Sequence, residues 1–567
     1  MKKLYLTLSL ALMCSVAFAI PAKRGLWKTV KLADGTEVRV ELRGDEFCHY
    51  WQAEDGNVYV ENTQKGIFEK AEKEALIKAS ADVRAEAYEA RAKRAMRAQA
   101  GSTPNKAEYK GKKKGIIILV QFSDLSFKED HTKELFERIA NEEGFNEMGF
   151  NGSVKDYFKA QSYGDFELDF DVAGPVTMPK SYTYYGENRG STSQAGSEYG
   201  ERLGQMVIDA CKAVDDEYDF TQYDWNNDGE VDQVYILYAG RGEASGGGAN
   251  TIWPHEWTLR AAMGTYGYLL SDPYVDGVSL NTYACGCELQ TDTQIDGIGT
   301  LCHEFSHCLG LMDMYDTYGG NSYGLDQWSL MAGGNYNGSS FTPAGFTSYE
   351  KMQSGWLDPI ELKSDTTIEN MQALAETPEA YIIYNDGNKN EYYMLENRKK
   401  VGYDAALPGA GLLITHIDYN SNAWQSNVVN STSGQRAYGI PSPHERCAII
   451  QADENAIRNT VAGDVWPYMT RKKLTSDSTP AATVYNRNTD GSYNMNKSVT
   501  DITRNIDGTI SFNFSLDKDP TGISGITIDS QNKGDGRIYS LDGRYLGKDM
   551  NALQKGIYII NGKKIIK

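Results

Sequence analysis

The sequence predicts an α/β (α+β) domain, followed by a β-sandwich-like domain and a small β-structured C-terminal tail. Gly115–Phe122 is an unbroken apolar run, as in a buried strand. Helical and strand-like patterns then alternate up to a final helix near residue 301. Residues 359–516 contain mostly alternating, strand-like segments. This order indicates a sheet that carries helices, with a cleft between an upper and a lower part.

Residues 1–19 are typical of a secretory signal peptide. Lys2 and Lys3 form the charged start, an apolar run follows, and Ala17-Phe18-Ala19 is a small-residue cleavage site. The apolar run is too short to cross a bilayer, and no later segment is apolar enough, so we expect no membrane insertion. The expected location is therefore outside the cell or at its surface.

Residues 20–104 are predicted to form a propeptide. Thr36–Leu42 alternates as a strand. Residues 66–99 are rich in Ala, Glu, Lys and Arg, which favours a solvated helix.

The end of this segment predicts proteolytic processing. The basic stretch Arg91–Arg97 precedes a joint of Gly, Ser and Pro, so the product should start between about Ala95 and Lys112. A plain linker is the alternative. Cys48 or Asp45 would be able to plug a metal site in a latent form, with purely structural roles as the alternative.

Residues 105–358 are predicted to form the α/β domain. Its expected elements are the Gly115–Phe122 strand, a helix capped by Ser153, a strand at Phe166–Phe170, a helix at Gln205–Val214, a strand at Val234–Ala239 and the final helix.

The final helix carries the sequence LCHEFSHCLGLMD. His303 and His307 are four residues apart and lie on one helix face, so both imidazoles can reach a single zinc ion. Glu304 lies about 100° around the helix from His303, close enough to a zinc-bound water to take its proton. The alternative is a buried helix that contains this spacing by chance.

Two later positions extend the pattern. Gly310 can end the helix with a positive φ and bring Asp313 to the same metal as third ligand. Met331 lies 24 residues beyond His307, before two glycines, where metzincin-type peptidases place a methionine turn beneath the metal. Glu350 is the alternative third ligand.

An acidic loop precedes the Val234 strand. Its side-chain oxygens occupy positions 1, 3, 5 and 9 of a calcium loop, with glycine at position 6. Tyr235 at position 12 excludes an EF-hand, and an acidic turn is the alternative reading. The residues expected to bind calcium are Asp224, Asn226, Asp228, Glu230 (through its carbonyl) and Asp232.

Three sequence segments carry a family resemblance. HEFSHCLGLMDMYD (303–316), WSLMAGG (328–334) and SYEKMQSGWL (348–357) resemble the immune inhibitor A family of secreted metallopeptidases. The resemblance extends more loosely over residues 36–516. It implies a metzincin-like catalytic domain in which Asp313 stands where most metzincins have a third histidine.

The predicted tail, residues 517–567, shows a second resemblance. GRIYSLDG (536–543) and KGIYIINGKK (555–564) are similar to the sorting domains of type IX secretion cargo. This resemblance implies that the secretion machinery is a partner. A small β-cap on the preceding domain is the alternative.

Composition excludes some partner classes. Acidic residues outnumber basic residues by 77 to 57, which gives a net charge of −20, so we expect neither nucleic acid nor an anionic membrane as a partner. Export permits disulfides, and pairing of Cys302 or Cys308 with Cys285 or Cys287 stays open.

Other polar residues invite a role. His255 is expected either to bind substrate or to pack in the core, and Tyr336 to assist an oxyanion. His416 and Asp418 would be able to form a second metal site, although residues beside a buried strand are more often structural.

These observations predict a secreted zinc-dependent endopeptidase that is made as a zymogen and cuts proteins or peptides. Zinc held by His303, His307 and Asp313 would carry a water whose proton Glu304 takes as general base. Calcium is a second expected ion. The alternatives are a surface adhesin or glycan-binding protein with a vestigial peptidase site, and a zinc hydrolase of cell-wall or mucin-type substrates.

Overall fold

The computed structural model describes residues 18–63, 65–80, 109–187, 198–259, 262, 273–318, 322, 324–454, 458–517, 536–560 and 563–567. The chain forms two compact units, Met1–Ser515 and Leu516–Lys567. The expected signal peptide up to residue 17, the basic stretch 91–97 and the joint at 518–522 lie outside the described residues. Within the ranges given, each helix is too short or too polar to cross a membrane.

The strands of the N-terminal half are β1 (Phe18–Ala19), β2 (Trp27–Lys31), β3 (Glu37–Gly44), β4 (His49–Ala53), β5 (Val58–Asn62), β6 (Ile67–Ala71), β7 (Gly111–Gln121), β8 (Phe166–Thr177), β9 (Val234–Arg241), β10 (His255–Thr258), β11 (Tyr274–Val275), β12 (Val278–Ser279) and β13 (Thr282–Leu289). The later strands are β14 (Ile360–Glu361), β15 (Thr366–Met371), β16 (Ala380–Asn385), β17 (Asn388–Arg398), β18 (Gly411–Asp418), β19 (Cys447–Ile449), β20 (Lys497–Arg504), β21 (Ile510–Leu516), β22 (Ile538–Tyr539), β23 (Tyr545–Gly547), β24 (Ile557–Ile560) and β25 (Lys563–Ile566).

The helices are α1 (73–80), α2 (Lys133–Asn141), α3 (Val154–Gln161), α4 (Tyr182–Gly186), α5 (Glu198–Val214), α6 (Ile298–Cys308), α7 (Ser348–Gln353), α8 (Ser421–Gln425) and α9 (Thr432–Ala437).

A six-stranded sheet organises the α/β part, in the order β1-β10-β13-β9-β7-β8. β13, β9, β7 and β8 are parallel. At one edge β10 pairs antiparallel with β13, and β1 pairs antiparallel with β10. In β7, Ile116 and Ile118 face one apolar cluster, while Ile117 and Leu119 face another. Because both faces are covered, the sequence of β7 is apolar without alternation.

Most predicted elements of this domain are present, with shifted ends. Helix α3 begins after Ser153, whose hydroxyl accepts from the amide of Asp156, and Asp156 in turn accepts from the amide of Ser153. Strand β8 continues to Thr177, beyond the predicted Phe170, because its alternate residues are buried far along the strand. Helix α5 starts at Glu198, seven residues before the predicted start at Gln205.

The segment expected to be a propeptide contains a five-stranded antiparallel sheet, β2-β3-β4-β5-β6. The predicted helix over 66–99 is wrong at its start, where β6 pairs with β5. Phe68 is buried in the core of this sheet, so tertiary packing overrides the local helix preference. Residues 73–80 are helical, and the remainder of the predicted helix, 81–99, lies outside the described residues.

Residues beyond 359 form two further sheets, β14-β16-β17-β18-β19 and β15-β21-β20. Tyr393 and Leu395 of the first share one apolar cluster with Phe512 and Phe514 of the second. Two sheets that bury one core between them correspond to the sandwich-like arrangement that alternation predicts. They belong to the same compact unit as the α/β part, and the predicted boundary at 358/359 stays a prediction.

The second unit, Leu516–Lys567, contains the four-stranded sheet β23-β22-β24-β25. Its strands are antiparallel. A role for this unit in secretion stays a prediction.

Candidate metal centre

Helix α6 places the two motif histidines deep in the protein. All its residues are buried, and the helix ends at Cys308, with Leu309 as its C-cap. Gly310 follows with φ 82°, and its amide donates to the His307 carbonyl at 2.9 Å. The left-handed conformation predicted for Gly310 turns the chain back toward the histidines.

Three ligand atoms converge beside this helix. His303 Nε2 and His307 Nε2 are 3.2 Å apart, and Asp313 Oδ1 lies 3.2 Å from the first and 3.5 Å from the second. Zinc–nitrogen and zinc–oxygen bonds of about 2.0–2.1 Å in a tetrahedron separate the ligand atoms by about 3.3 Å. The spacing therefore suits three ligands of a tetrahedral zinc ion.

The histidine tautomers also suit a metal. His303 Nδ1 contacts the Leu330 carbonyl at 2.8 Å, and His307 Nδ1 contacts the Leu311 carbonyl at 2.8 Å. Because a carbonyl can only accept, both Nδ1 atoms carry protons and both Nε2 lone pairs point at each other. A cation between the Nε2 atoms removes the repulsion of two facing lone pairs.

Asp313 is held by a residue distant in sequence. Its Oδ2 accepts from Asn427 Nδ2 at 2.6 Å, and its amide donates to Asn427 Oδ1 at 2.9 Å. Its Oδ1 faces the histidines and has no hydrogen-bond donor among the described residues. Burial acts to raise the pKa of Asp313, but positive charge on His307 and His303 outweighs burial and lowers that pKa well below its usual range; a cation at the Nε2 atoms of neutral rings would supply the same positive charge. A buried, ionised oxygen of this kind fits a metal ligand.

Glu304 lies beside these ligands and is fully buried. Its Oε1 accepts from the Ile20 amide at 2.8 Å, whereas its Oε2 has no hydrogen-bond partner in the described part of the chain. Burial raises the pKa of Glu304 well above its usual value, and the charges of Asp313 and Glu46 raise it further. A carboxyl with a raised pKa binds a proton more readily than a free glutamate does.

Glu350, the alternative third ligand, uses both of its carboxylate oxygens in other hydrogen bonds. It is the third residue of helix α7, and its Oε2 accepts from the Thr347 amide at 2.7 Å in a capping box. Its Oε1 accepts from the Ser329 hydroxyl, and that hydroxyl also accepts from the amide of Met331 at 3.0 Å. Glu350 therefore supports the segment of the buried Met331.

In the predicted calcium loop, side-chain oxygens accept hydrogen bonds from the backbone amides of the loop itself. Asp224 accepts from the amides of Asp228 and Gly229, and Asp228 accepts from the amide of Glu230. In the part of the chain that the structure describes, the carboxylates of this loop do not gather three ligand atoms within 4.8 Å. Calcium binding stays a prediction.

Two histidines outside the centre have structural surroundings. His255 Nδ1 contacts the Trp253 carbonyl at 2.7 Å, and burial lowers the pKa of His255 to about 4, as expected of a packed residue. His416 Nε2 contacts Glu391 Oε1 at 2.8 Å. Asp418, weighed as a partner of His416 on a second metal, pairs with Arg446 at 2.7 Å, in line with the favoured structural role.

Cys48 and Asp45 make packing and turn contacts, and a latency role for either stays a prediction. No disulfide joins the seven cysteines that the structure describes, and all seven are buried. Cys48 packs in a cluster with Tyr50 and Val58. Asp45 Oδ1 accepts from the amides of Phe47 and Cys48 in a turn.

A different segment of the expected propeptide reaches the centre. Ile20 is buried against Glu304, and Pro21 and Lys23 form hydrogen bonds with the α/β domain. The Trp253 indole donates to the Ile20 carbonyl at 3.0 Å, and the Tyr336 hydroxyl donates to the Pro21 carbonyl at 2.8 Å. A cavity of about 190 Å³ lies beside this segment, between it, strand β3 and the α/β domain, and the groove that holds the segment is called the cleft below.

The sequence motifs do not indicate the roles of Trp253 and Asn427 or the contact between Ile20 and Glu304. Asn427 meets Asp313 across 114 residues of chain, and Ile20 meets Glu304 across 284. No local sequence pattern indicates a contact between residues so far apart in the chain. Tyr336 was expected near an oxyanion, and its hydroxyl does lie in the cleft, on a peptide carbonyl.

Comparison with known proteins relates the chain to metallopeptidases. Residues 104–357 match the family model described as the catalytic domain of immune inhibitor A peptidase M6. Residues 104–357 are therefore similar to immune inhibitor A-type peptidase domains, in line with the resemblance of the motifs.

Two curated relatives are similar to the chain. Immune inhibitor A of Bacillus thuringiensis subsp. alesti is 29% identical over 299 residues, which cover 44% of this chain and 42% of that protein. Pre-pro-metalloprotease PrtV of Vibrio cholerae serotype O1 (strain M66-2) is 29% identical over 272 residues, 42% of this chain and 29% of that protein. The chain thus spans less than half the length of these relatives.

Proposed function

We propose that the protein is a secreted, zinc-dependent endopeptidase, made as a zymogen, that hydrolyses peptide bonds of extracellular proteins. The observation that carries the proposal is the convergence of His303 Nε2, His307 Nε2 and Asp313 Oδ1 within 3.2–3.5 Å of one another. Met331 would lie under this centre as the methionine turn of a metzincin-like domain.

The chemistry of hydrolysis would fall to Glu304. Bound zinc would supply a Lewis acid that lowers the pKa of a water and polarises the scissile carbonyl. Glu304 takes the proton of the attacking water and gives it to the leaving amine. Its Oε2, buried and without a hydrogen-bond partner in the described residues, is available for the first transfer.

The zymogen proposal is supported by the segment in the cleft. Glu304 Oε1 is engaged by the Ile20 amide, and residues 20–24 lie where a substrate would enter. A peptide cannot approach Glu304 until this segment leaves. Latency then depends on residues 20–24 and not on Cys48 or Asp45. Active material should begin between about Ala95 and Lys112, and N-terminal sequencing that still finds Ile20 at the start would exclude this proposal.

The catalytic proposal is tested with Glu304→Gln, which removes the base and keeps the ligands. Processed protein should hold one zinc per chain, and a strong chelator should abolish its peptidase activity. We expect Glu304→Gln to retain zinc and to lose activity by about three orders of magnitude or more. Glu143→Gln, at an exposed position, is the matched control and should behave as wild type. Activity of Glu304→Gln within tenfold of wild type would contradict the mechanism.

An intact base and ligand set also argues against the alternative of an adhesin with a vestigial peptidase site. The alternative of a cell-wall or mucin hydrolase is tested by the same material. Digestion of a proteome-derived peptide library should yield cuts at ordinary peptide bonds.

A further inference from the structure

Residues 18–24 pass the candidate centre as a substrate strand would. Strand β1 is paired antiparallel with the edge strand β10, which is how an extended peptide adds to a sheet. The Ile20 amide then donates to Glu304 Oε1 at 2.8 Å, the position from which a leaving amine receives its proton. Removal of the signal peptide is predicted at the Ala19–Ile20 bond, so Ile20 then begins the segment, and residues 20–24 occupy the positions that follow a cleaved bond.

The α/β domain holds the backbone of this segment. Contacts of this kind do not depend on side chains, so they would hold other sequences in the same path. The anchors are Trp253 Nε1 on the Ile20 carbonyl at 3.0 Å, the Tyr336 hydroxyl on the Pro21 carbonyl at 2.8 Å, and the Lys23 amide on the Ala244 carbonyl at 2.9 Å.

The fourth position, Lys23, meets a fixed acceptor. Lys23 Nζ donates to Gln290 Oε1 at 2.7 Å. The Gln290 amide nitrogen donates to Asp296 Oδ1 at 3.2 Å and to Ser340 Oγ at 2.7 Å. These two acceptors fix the orientation of the amide, so its oxygen must face the cleft. An ammonium group satisfies this buried oxygen, with the Asp296 carboxylate behind it.

The fifth position, Arg24, meets a buried carboxylate. Arg24 Nη1 lies 2.5 Å from Asp326 Oδ2, and the two side chains are only 14% and 10% exposed. Asp326 Oδ1 has no hydrogen-bond partner in the described residues, and the nearby Asp464 carries a second carboxyl. Once residues 20–24 leave, Asp326 loses this cation.

We infer that Gln290 and Asp326 select the substrate: the mature cleft takes polypeptides with lysine or arginine at the fourth and fifth positions after the cleaved bond. Lys23 and Arg24 of the precursor occupy these two positions. The inference rests on the proposed peptidase function. The alternative is that Gln290 and Asp326 serve only to hold the precursor segment.

The test uses processed, zinc-containing enzyme and three matched peptides. Each has Ile-Ala-Ala after the cleaved bond, followed by Lys-Arg, Ala-Ala or Glu-Glu, and mass spectrometry verifies the cut. The kcat/KM for the Lys-Arg peptide should exceed that for Ala-Ala by about tenfold or more, with Glu-Glu lowest. Equal kcat/KM for the three peptides would overturn the inference, whereas failure to cleave any peptide would contradict the peptidase function itself.

Variants of Asp326 separate selection from precursor holding. In Asp326→Asn, the preference for arginine over alanine at the fifth position should fall to about threefold or less, and Asp326→Glu should restore it. The ratio is measured within one preparation, so a partly folded variant still reports it. Asp292→Asn removes an acid whose side chain is 88% exposed and should keep the wild-type preference. An unchanged preference in Asp326→Asn would leave Asp326 a precursor contact only.

Discussion

The cluster of His303, His307 and Asp313 and the cluster of Glu391, His416 and Asp418 are both buried groups of histidines and carboxylates. In the second cluster every carboxylate oxygen is supplied with donors. Glu391 accepts from His416, Tyr485, Asn385 and Asn486, and Asp418 accepts from Arg446 and Asn486.

The first cluster lacks such donors at its centre. Two imidazole lone pairs face each other, and Asp313 Oδ1 has no hydrogen-bond donor among the residues described. This difference means that residue types alone do not distinguish a metal site from an ion-pair network. What distinguishes them is which polar atoms are left for a cation.

Replacing one histidine in each cluster gives the largest expected contrast. His307→Ala removes a ligand, so zinc content should fall to about a tenth or less and activity by about three orders of magnitude. His416→Ala, the matched change, should keep both zinc and activity because its partner is Glu391. Metal analysis of the two purified variants checks this. Equal zinc loss in both would remove the distinction between the clusters.

A second pair of variants tests which residue is the third zinc ligand. Asp313→Ala should weaken zinc binding, with a rise in the zinc dissociation constant of about 100-fold or more. Glu350→Ala should leave zinc nearly unchanged and lower the free energy of unfolding by about 1–3 kcal/mol, because it removes the capping box and the Ser329 contact. Zinc titration with a competing chelator measures the affinities. The reverse pattern would transfer the ligand role to Glu350.

The Asp224–Asp232 loop is a third acidic group, predicted to hold calcium. A bound ion would relieve the repulsion of its carboxylates, so calcium should stabilise zinc-restored protein by about 2.7 kcal/mol at 100 times its dissociation constant. Asp228→Ala should lose most of this gain and keep its zinc. A melting temperature that stays constant through a calcium titration would make the loop an acidic turn.

The last prediction concerns the charge of Glu391. Burial acts to raise the pKa of Glu391, but the hydrogen bond and charge of His416 prevail and lower that pKa to about 2. A carboxyl whose pKa is lower in the folded state stabilises the fold above the unfolded pKa of about 4.3 and loses this contribution as pH falls toward 2.

Glu391→Gln should therefore be less stable than wild type by about 2–3 kcal/mol at pH 7, and the gap should shrink between about pH 4.3 and 2. Denaturant unfolding across this pH range measures the gap. A gap that does not change with pH would mean that the charge of Glu391 contributes nothing.

Local patterns were enough to predict part of the site. The spacing of His303 and His307, the turn at Gly310 and the cap at Ser153 each depend on neighbours within a few residues. The contacts of Asn427 and Ile20 depend on how distant segments pack, which spacing does not record. The error at β6 has the same cause, since burial of Phe68 decides the conformation there.

The most direct test of the metal centre is anomalous diffraction at the zinc absorption edge from crystals of the zinc-loaded precursor. We expect one peak about 2.0–2.2 Å from His303 Nε2, His307 Nε2 and Asp313 Oδ1, and none at the Glu391–His416 cluster. Stoichiometric zinc with its peak elsewhere, or a peak at Glu391 and His416, would contradict the account.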